Sequence, residues 1–494
     1  MPHPRAAAAK TPVMPRFSIV LTTTDRPGLL AAGVRAVLAL AFDDFELLVS
    51  DNFSSIPASE ILTGISDERL RIIRTDSRLT APDHWEFAFA HVRGEYVMYL
   101  GDDNALHPGI LADADRALRD HDLDLLSWRV ATYFHPGWDI VYGPLPDRGN
   151  VVGIDAGTTG GLYAADPGAV LRSYGDNLRL SGCFPCMLNL LFRKSLADFI
   201  RRRAGRFFWP PNPDISCSYF ALGAARPGGY AFFDRIGALG GRSVDSNLAT
   251  LLSRGRSTRR VYDYLAEFGG RDMVPLHEPK FLSISNALAS TISQARATMP
   301  DVFSRYSFDL RTVARKTIDD MYVDGTLPWA DDHDFAAAVD AFIASLPGAD
   351  AKEIELYRDE CRARMQDAAA RGHTGPTYIR NADQARVSLL EFWRKADPQS
   401  KTLNWRLFRE TGRNPIGRHW VSGGTTYVDM GLYGGKDIAD ASGNLPRVLA
   451  SFDRPGDAFL NYHRNIGMLG ERLTGEPRAP RSAAAPAAVA VAHG

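Results

Sequence analysis

From residue 17 onward the chain alternates short runs of apolar residues with stretches whose apolar positions recur every three to four residues. A strand covered on both faces reads as a continuous apolar run, and a helix lying on it shows a single apolar stripe, so the alternation predicts βαβ units and a mainly parallel sheet. The first run, 17–21, leads into Thr22-Thr23-Thr24-Asp25-Arg26-Pro27, where Asp25 is suited to cap a helix and Pro27 to sit in its first turn. Leu29, Leu30, Gly33, Val34, Val37 and Leu38 follow at helical spacing. A second strand is predicted over 45–49, ending in Ser50-Asp51-Asn52, and a third over 70–74. A helix over about 83–92 precedes a fourth strand, 96–100, which ends in Gly101-Asp102-Asp103-Asn104. A helix over 109–120 and a strand near 123–130 continue the pattern. Beyond about Ser246 the periodicity turns mostly helical, over 262–268, 335–345 and 351–370.

A chain of 494 residues exceeds what one hydrophobic core organises, which predicts two domains and tails. The boundaries read as a tail over 1–15, an α/β domain over 16–245, a mainly α-helical C-terminal domain over 246–475 and a Pro/Ala-rich tail over 476–494. No internal repeat is evident. A formal net charge of -1, with 45% hydrophobic and 23% charged residues, gives no global attraction to nucleic acid or to an anionic membrane. Four cysteines, Cys183, Cys186, Cys217 and Cys361, point to a reducing compartment, with the cytosol as default. No apolar run reaches the ~18 residues of a membrane span, and the N-terminus lacks the apolar core of a secretory signal.

The strongest chemical signal is the acidic pair Asp102-Asp103, delivered at the exit of a buried strand. Ligands of open α/β sheets bind beyond the carboxyl ends of the strands, where Asp25 and Asp51 also fall. Adjacent carboxylates there either cap the following helix or hold a hard divalent cation on a diphosphate.

Four ordered segments resemble the family 2 glycosyltransferases of the GT-A fold, over about 17–247. They are Thr22 to Pro27, then Asp51-Asn52-Phe53-Ser54-Ser55, then Asp83-His84-Trp85-Glu86, and last Arg93-Gly94-Glu95-Tyr96 followed by Gly101-Asp102-Asp103-Asn104. The resemblance implies a nucleotide-sugar-binding GT-A domain with a mainly parallel central sheet, followed by the helical region. It implies donor binding by Thr22, Asp25, Arg26 and Asp51, with Asp51 accepting a base N–H. It also implies that Asp102 supports the sugar or ribose and that Asp103 holds Mg²⁺ or Mn²⁺. Asn104 stands where the family often has a third acidic residue, and His84 where it often has Asn. The segment Trp209-Pro210-Pro211-Asn212-Pro213-Asp214 resembles the family's acceptor side, which makes Asp214 the candidate base. Gly240-Gly241-Arg242 resembles a phosphate-closing loop, with Arg242 on the diphosphate.

The implied activity is inverting, metal-dependent transfer of a sugar from a nucleotide-sugar donor to a hydroxyl of a saccharide or lipid-linked acceptor, in bacterial surface polysaccharide biosynthesis. The implied location is cytoplasmic, with a peripheral seat on the inner membrane left open, and the oligomeric state is not set. Two rivals stand beside this reading. One is a nucleotide-sugar-binding scaffold without turnover; the other is a nucleotidyltransferase, for which the Gly-rich basic loop after the first strand is missing. A dinucleotide oxidoreductase fails likewise, since no G-x-G-x-x-G follows that strand. Cys183-Phe184-Pro185-Cys186 lacks the second ligand pair of a structural zinc site and reads as free thiols. The arginines at 201–203 and 206, and at 254, 256, 259 and 260, read as solvated helix faces. The aromatics of 133–142 read as packing for a domain interface.

Overall fold

The computed structural model of the chain describes residues 14–137, 149–155, 157–243, 267, 277, 283–323, 333–370, 403, 406, 407, 409–413, 419–422, 425–452 and 457–474. The expected tails apart from Met14 and Pro15, the helix over 262–268 apart from Glu267, and the arginines at 254–260 lie outside them.

The first half is built from β1 (Phe17–Thr23), α1 (Pro27–Leu38), β2 (Phe45–Asp51), the short α2 (Ala58–Ile61), β3 (Leu70–Arg74), α3 (Ala81–Phe89), β4 (Tyr96–Gly101), β5 (Ala105–Leu106), α4 (Ile110–Asp120) and β6 (Leu125–Phe134). Then come β7 (Val151–Ile154), β8 (Leu162–Ala165), α5 (Pro167–Asn177), β9 (Leu190–Arg193), α6 (Lys194–Ala204), α7 (Pro213–Ala224) and β10 (Tyr230–Arg242). Helices α8 (Ile284–Thr298), α9 (Pro300–Phe303), α10 (Leu310–Ile318), α11 (His333–Ser345) and α12 (Gly348–Ala370) follow. The described chain closes with β11 (His419–Ser422), β12 (Thr425–Asp429), α13 (Ile438–Ala450), α14 (Asp457–Asn465) and β13 (Leu469–Arg472).

One sheet runs in the order β11-β12-β7-β6-β9-β4-β1-β2-β3, with β10 joining β5, β6 and β8, and β13 joining β8. The strands β3, β2, β1 and β4 are parallel neighbours, and β9 enters antiparallel between β4 and β6. Alternation along each central strand supplies both faces with apolar side chains. Val20, Leu48, Val97 and Tyr99 pack into the cluster that includes residues of α3 and of α5 to α8. Ile19, Leu21, Leu47, Val49, Met98 and Leu100 pack on the opposite side with residues of α1 and α4. The helices on that second face follow local rules: Pro27 opens α1, and Leu30, Val34 and Val37 turn one stripe inward.

Two expected boundaries move, one by capping and one by strand pairing. Thr80, whose side chain accepts from the Asp83 amide, caps α3 and starts it at Ala81 rather than at 83. The fifth predicted strand, β6, runs on to Phe134 because β10 pairs alongside it to Arg242.

The chain after 283 is helical through α12 and then returns to the sheet. Thr426 to Asp429 pair antiparallel with Val151 to Ile154, β13 pairs with β8, and α13 packs against α1 with an Arg35–Asp437 ion pair. These strands within the stretch read from sequence as mainly helical are edge additions, short and flanked by polar residues, so no long apolar run announces them.

Candidate active site

The strand tips define the site. In register, Thr23 of β1 lies beside Asp51 of β2, and Thr22 lies beside Gly101 of β4, so three chain exits open at one sheet edge. Thr23 Oγ1 donates to Asp102 Oδ2 at 2.6 Å, joining the first exit to the acidic turn. Thr22 points the other way, as strand alternation requires, and its hydroxyl donates to the Leu100 carbonyl at 3.4 Å. The residue touching the acidic pair is therefore Thr23, one position beyond the threonine singled out from sequence.

Asp102 is 0% exposed and Asp103 7%. The Arg26 guanidinium lies across both, 2.8 Å from Asp102 Oδ1 and 3.6 Å from Asp103 Oδ2. Burial pushes the Asp102 carboxyl up, Arg26 pulls it down and Asp103 pushes it up again, leaving it at about 7. A dedicated scaffold holds this turn. His135 Nε2 is 2.9 Å from the Asp103 carbonyl, and the Gly241 amide donates to Asn104 Oδ1 at 2.9 Å. Asn104, where a third carboxylate was the family's habit, thus ties the turn to β10. Gly241 makes that approach possible, because a Cβ there would lie 1.7 Å from the Asp103 carbonyl oxygen. On the other flank, Gly33 lets α1 close on the turn, since its Cβ would meet the Asp102 carbonyl at 3.0 Å. Burial, opposed by the Asp103 carbonyl, lowers the pKa of His135. His135 carried no motif in the sequence, and it lies beyond the strand end expected near 130.

The β2 exit is organised differently. Asp51 is 0% exposed, and its carboxylate accepts from the Ser54 amide at 2.9 Å, the Ala58 amide at 3.1 Å and Arg74 at 2.6 Å. Burial alone would raise its pKa, but these donors outweigh it and leave the group below its ordinary value. Asp51 thus holds the 52–58 loop. Asp25, in left-handed backbone at φ 52°, ties the same loop to β1 by accepting from the Ser55 amide at 2.6 Å and from Arg78 at 3.0 Å. The Ser55 amide, with Arg78, holds its carboxyl below the usual range. Under this loop His84, 3% exposed, sits 2.8 Å from Ser50 Oγ, and burial pushes its pKa down to about 4.

Asp214 stands in the first turn of α7 after Pro213, with Asn212 at the cap position. It is half-buried, and enclosure raises its pKa against the partial help of its own and the Ile215 amides. The approach to it is rigid. Glu86 of α3 accepts from the Phe207 amide, from the Phe208 amide at 2.9 Å and from Arg201 at 2.9 Å. Ser216 Oγ bonds both the amide and the carbonyl of Trp209, and Gln294 of α8 donates to the Pro210 carbonyl at 2.7 Å. Arg242 ends β10 beside Phe134, with its carbonyl accepting from the His135 amide at 3.0 Å; residues 244–247 of its loop lie outside the described chain.

Other sequence features resolve into structure. All four cysteines are free, and burial pushes the Cys186 thiol up to about 12. Arg201, Arg203 and Arg206 are ion-paired with Glu86, Asp301 and Asp83. Among the described residues no three His, Cys, Asp or Glu side chains cluster as a ready-made metal site. The two carboxylates nonetheless converge on one cation, the guanidinium, and Mg²⁺ or Mn²⁺ is commonly held by one or two carboxylates together with substrate phosphates. The donor set therefore fits a cation that shares its ligands with a diphosphate.

A parallel core with an acidic turn at the β4 exit defines the GT-A class of nucleotide-sugar folds. Residues 18–168, less than half of the chain, match the model of glycosyl transferase family 2. The chain is 26% identical over 102 residues, 20% of its length, to the GalNAc(5)-diNAcBac-PP-undecaprenol beta-1,3-glucosyltransferase of Campylobacter jejuni, and spans 33% of that relative's length. Solved structures with a similar outline include residues 1–349 of TarS from S. aureus in complex with UDP-GlcNAc. That likeness has 12% identity, covers 72% of this chain and 92% of that one, and has a TM-score of 0.42. Another is a mannosyltransferase from Pyrobaculum calidifontis in complex with GDP-Man and Mn²⁺, with 16% identity, 71% and 87% coverage, and a TM-score of 0.32.

Proposed function

We propose that the chain is an inverting glycosyltransferase that moves a sugar from a nucleotide-sugar donor to a hydroxyl of a saccharide or lipid-linked acceptor in bacterial surface polysaccharide synthesis. The reading rests on one observation above the others: Asp102 and Asp103 converge on a single cationic point at the sheet's carboxyl edge, with Thr23 joining them to the β1 exit. The match of residues 18–168 to glycosyl transferase family 2 and the Campylobacter relative's lipid-diphosphate substrate support the reaction class.

In this reading the 52–58 loop, kept in place by Asp51 and Asp25, borders the nucleotide. Asp103, with Asp102 behind it, would hold Mg²⁺ or Mn²⁺ on the donor diphosphate. That cation supplies charge neutralisation for the leaving diphosphate. Asp214 takes the proton from the acceptor hydroxyl as its oxygen bonds to the anomeric carbon. The bond from that carbon to the diphosphate breaks, and its electron pair leaves on the diphosphate oxygen. A carboxylate whose pKa is raised by enclosure is a better proton acceptor than a solvated one. Contact of helix α8 with α7 and its hydrogen bond to the Pro210 carbonyl support a reading in which the helical segment borders the acceptor. Among the described residues no helix is long and apolar enough to cross a membrane. A lipid-linked acceptor is then met by a peripheral seat at the cytoplasmic face.

A panel of nucleotide sugars, each with Mn²⁺, tested first for thermal stabilisation and then for transfer to undecaprenyl-diphosphate glycans, checks the proposal. Stabilisation by one donor with turnover supports it. Stabilisation without hydrolysis or transfer on any acceptor favours the scaffold, and no stabilisation by any donor overturns donor binding.

A further inference from the structure

The acidic turn already holds a cation of its own, and this has a consequence for how donor and metal bind. We propose that Arg26 is the resident counter-ion of the Asp102–Asp103 pair and transfers to the donor diphosphate when a divalent cation takes its place, making metal and diphosphate binding cooperative. The inference rests on the donor-site reading above and concerns the order in which that site fills.

Arg26 lies 2.8 Å from Asp102 Oδ1 and 3.6 Å from Asp103 Oδ2, so it lies against the oxygens a divalent ion would need. A guanidinium and a divalent cation repel each other and cannot share those oxygens. Asp102 Oδ1 accepts no hydrogen bond of regular geometry and has no exposed surface, so removing Arg26 with nothing in return leaves a buried oxygen with no donor. Metal alone therefore binds against a penalty. Arg26 itself is not wholly enclosed. It occupies the cap position before α1 without a side-chain cap bond and keeps 24% of its side chain exposed. Its planar fork matches phosphate oxygens as well as carboxylates. A diphosphate arriving at the same strand edge gives the guanidinium a new anion and the metal new ligands, so each ligand removes a cost from the other. The coupling is reciprocal by linkage.

The test uses the full chain, Mn²⁺ and inorganic pyrophosphate, with free Mn²⁺ read by electron paramagnetic resonance. Wild type should bind Mn²⁺ weakly alone and about tenfold more tightly with saturating pyrophosphate, within the usual range of coupling between two sites. R26Q should bind Mn²⁺ alone about tenfold more tightly than wild type and lose most of the pyrophosphate enhancement. R26K, which keeps the charge without the fork, should fall between them and decides the matter if R26Q melts early. D103N in the R26Q background should abolish the gain, locating the ion at the acidic turn. R26Q that binds Mn²⁺ no more tightly than wild type, or an undiminished pyrophosphate enhancement, overturns the proposal. No sugar or acceptor enters the measurement, so a failure of transfer would sink the functional reading without touching this result.

Discussion

Glu86 on α3 and Phe208, in the turn before α7, are joined by a 2.9 Å hydrogen bond from the Phe208 amide to the Glu86 carboxylate. The same carboxylate receives the Phe207 amide and Arg201, and Trp85 meets the Phe208 ring edge-on at 5.4 Å. One helix thus carries His84, which underlies the β2 exit, and Glu86, which fixes the approach to Asp214. Replacing Glu86 with Ala strips two amides and a guanidinium of their acceptor, a loss of about 1–3 kcal/mol for such groups. The expected kinetic signature is a raised KM for acceptor with donor affinity unchanged. E86Q, which keeps an acceptor oxygen for the amides, should recover most of it. Equal losses of donor and acceptor binding would mean that Glu86 only stabilises the fold.

Thr23 joins the last residue of β1 to the acidic turn through its 2.6 Å bond to Asp102. Thr23→Val preserves shape and β-branching and removes only the donor. With Asp102 wholly buried, the loss should cost about 1–3 kcal/mol in a urea titration. It should also weaken donor binding in the presence of Mn²⁺, with T23S restoring both. Unchanged donor affinity in T23V would separate the acidic turn from the donor site. Thr22→Val, by contrast, removes only a long 3.4 Å bond to a strand carbonyl and should be nearly neutral.

Asp214 makes a prediction about pH. As a base it must be ionised, and because enclosure raises its pKa, turnover should fall on the acid side at a higher pH than an ordinary carboxylate would give. Activity is then present above that raised pKa and lost as pH falls through it. Asp214→Asn should remove the acid limb together with most of the turnover while leaving donor binding, read by thermal shift, close to wild type. Persisting turnover in D214N would place the base on another residue.

Much of this was legible beforehand, and the reasons differ by element. The parallel strands β1, β2 and β4 are buried on both faces, so their apolar runs stood out, and the third strand, 70–74, coincided with the sequence reading although two arginines interrupt it. Asp102 and Asp103 were visible because carboxylates at a strand exit are a local pattern. Thr23, His135, Gly241 and Glu86 were not, since each acts through a partner between 32 and 138 residues away, as in the pairs His135 with Asp103 and Gly241 with Asp103. The return of residues 419–472 to the sheet was hidden for the same reason. Its strands are short edge pieces whose partners, β7 and β8, lie more than 250 residues earlier.

His84 links the β2 exit to stability at low pH. Burial pushes it down to about 4 from the ordinary imidazole value of about 6.5, so the folded protein keeps it neutral while the unfolded chain takes a proton at about 6.5. The unfolded state therefore binds more protons between these values, and stability must fall as pH drops from about 6.5 toward 4 and stay level above that window. Between pH 7 and pH 5 the loss from this residue should be about 2 kcal/mol. His107, likewise pushed down to about 4 by burial, adds to the same window. His84→Gln, which keeps a hydrogen-bonding group facing Ser50 Oγ, should leave stability at pH 7 within about 1 kcal/mol of wild type, the scale of one neutral hydrogen bond. It should also make the decline toward pH 5 visibly shallower. Urea midpoints for both proteins at the two pH values decide it, and identical declines would show that His84 titrates normally and that the β2 exit owes nothing to a neutral imidazole.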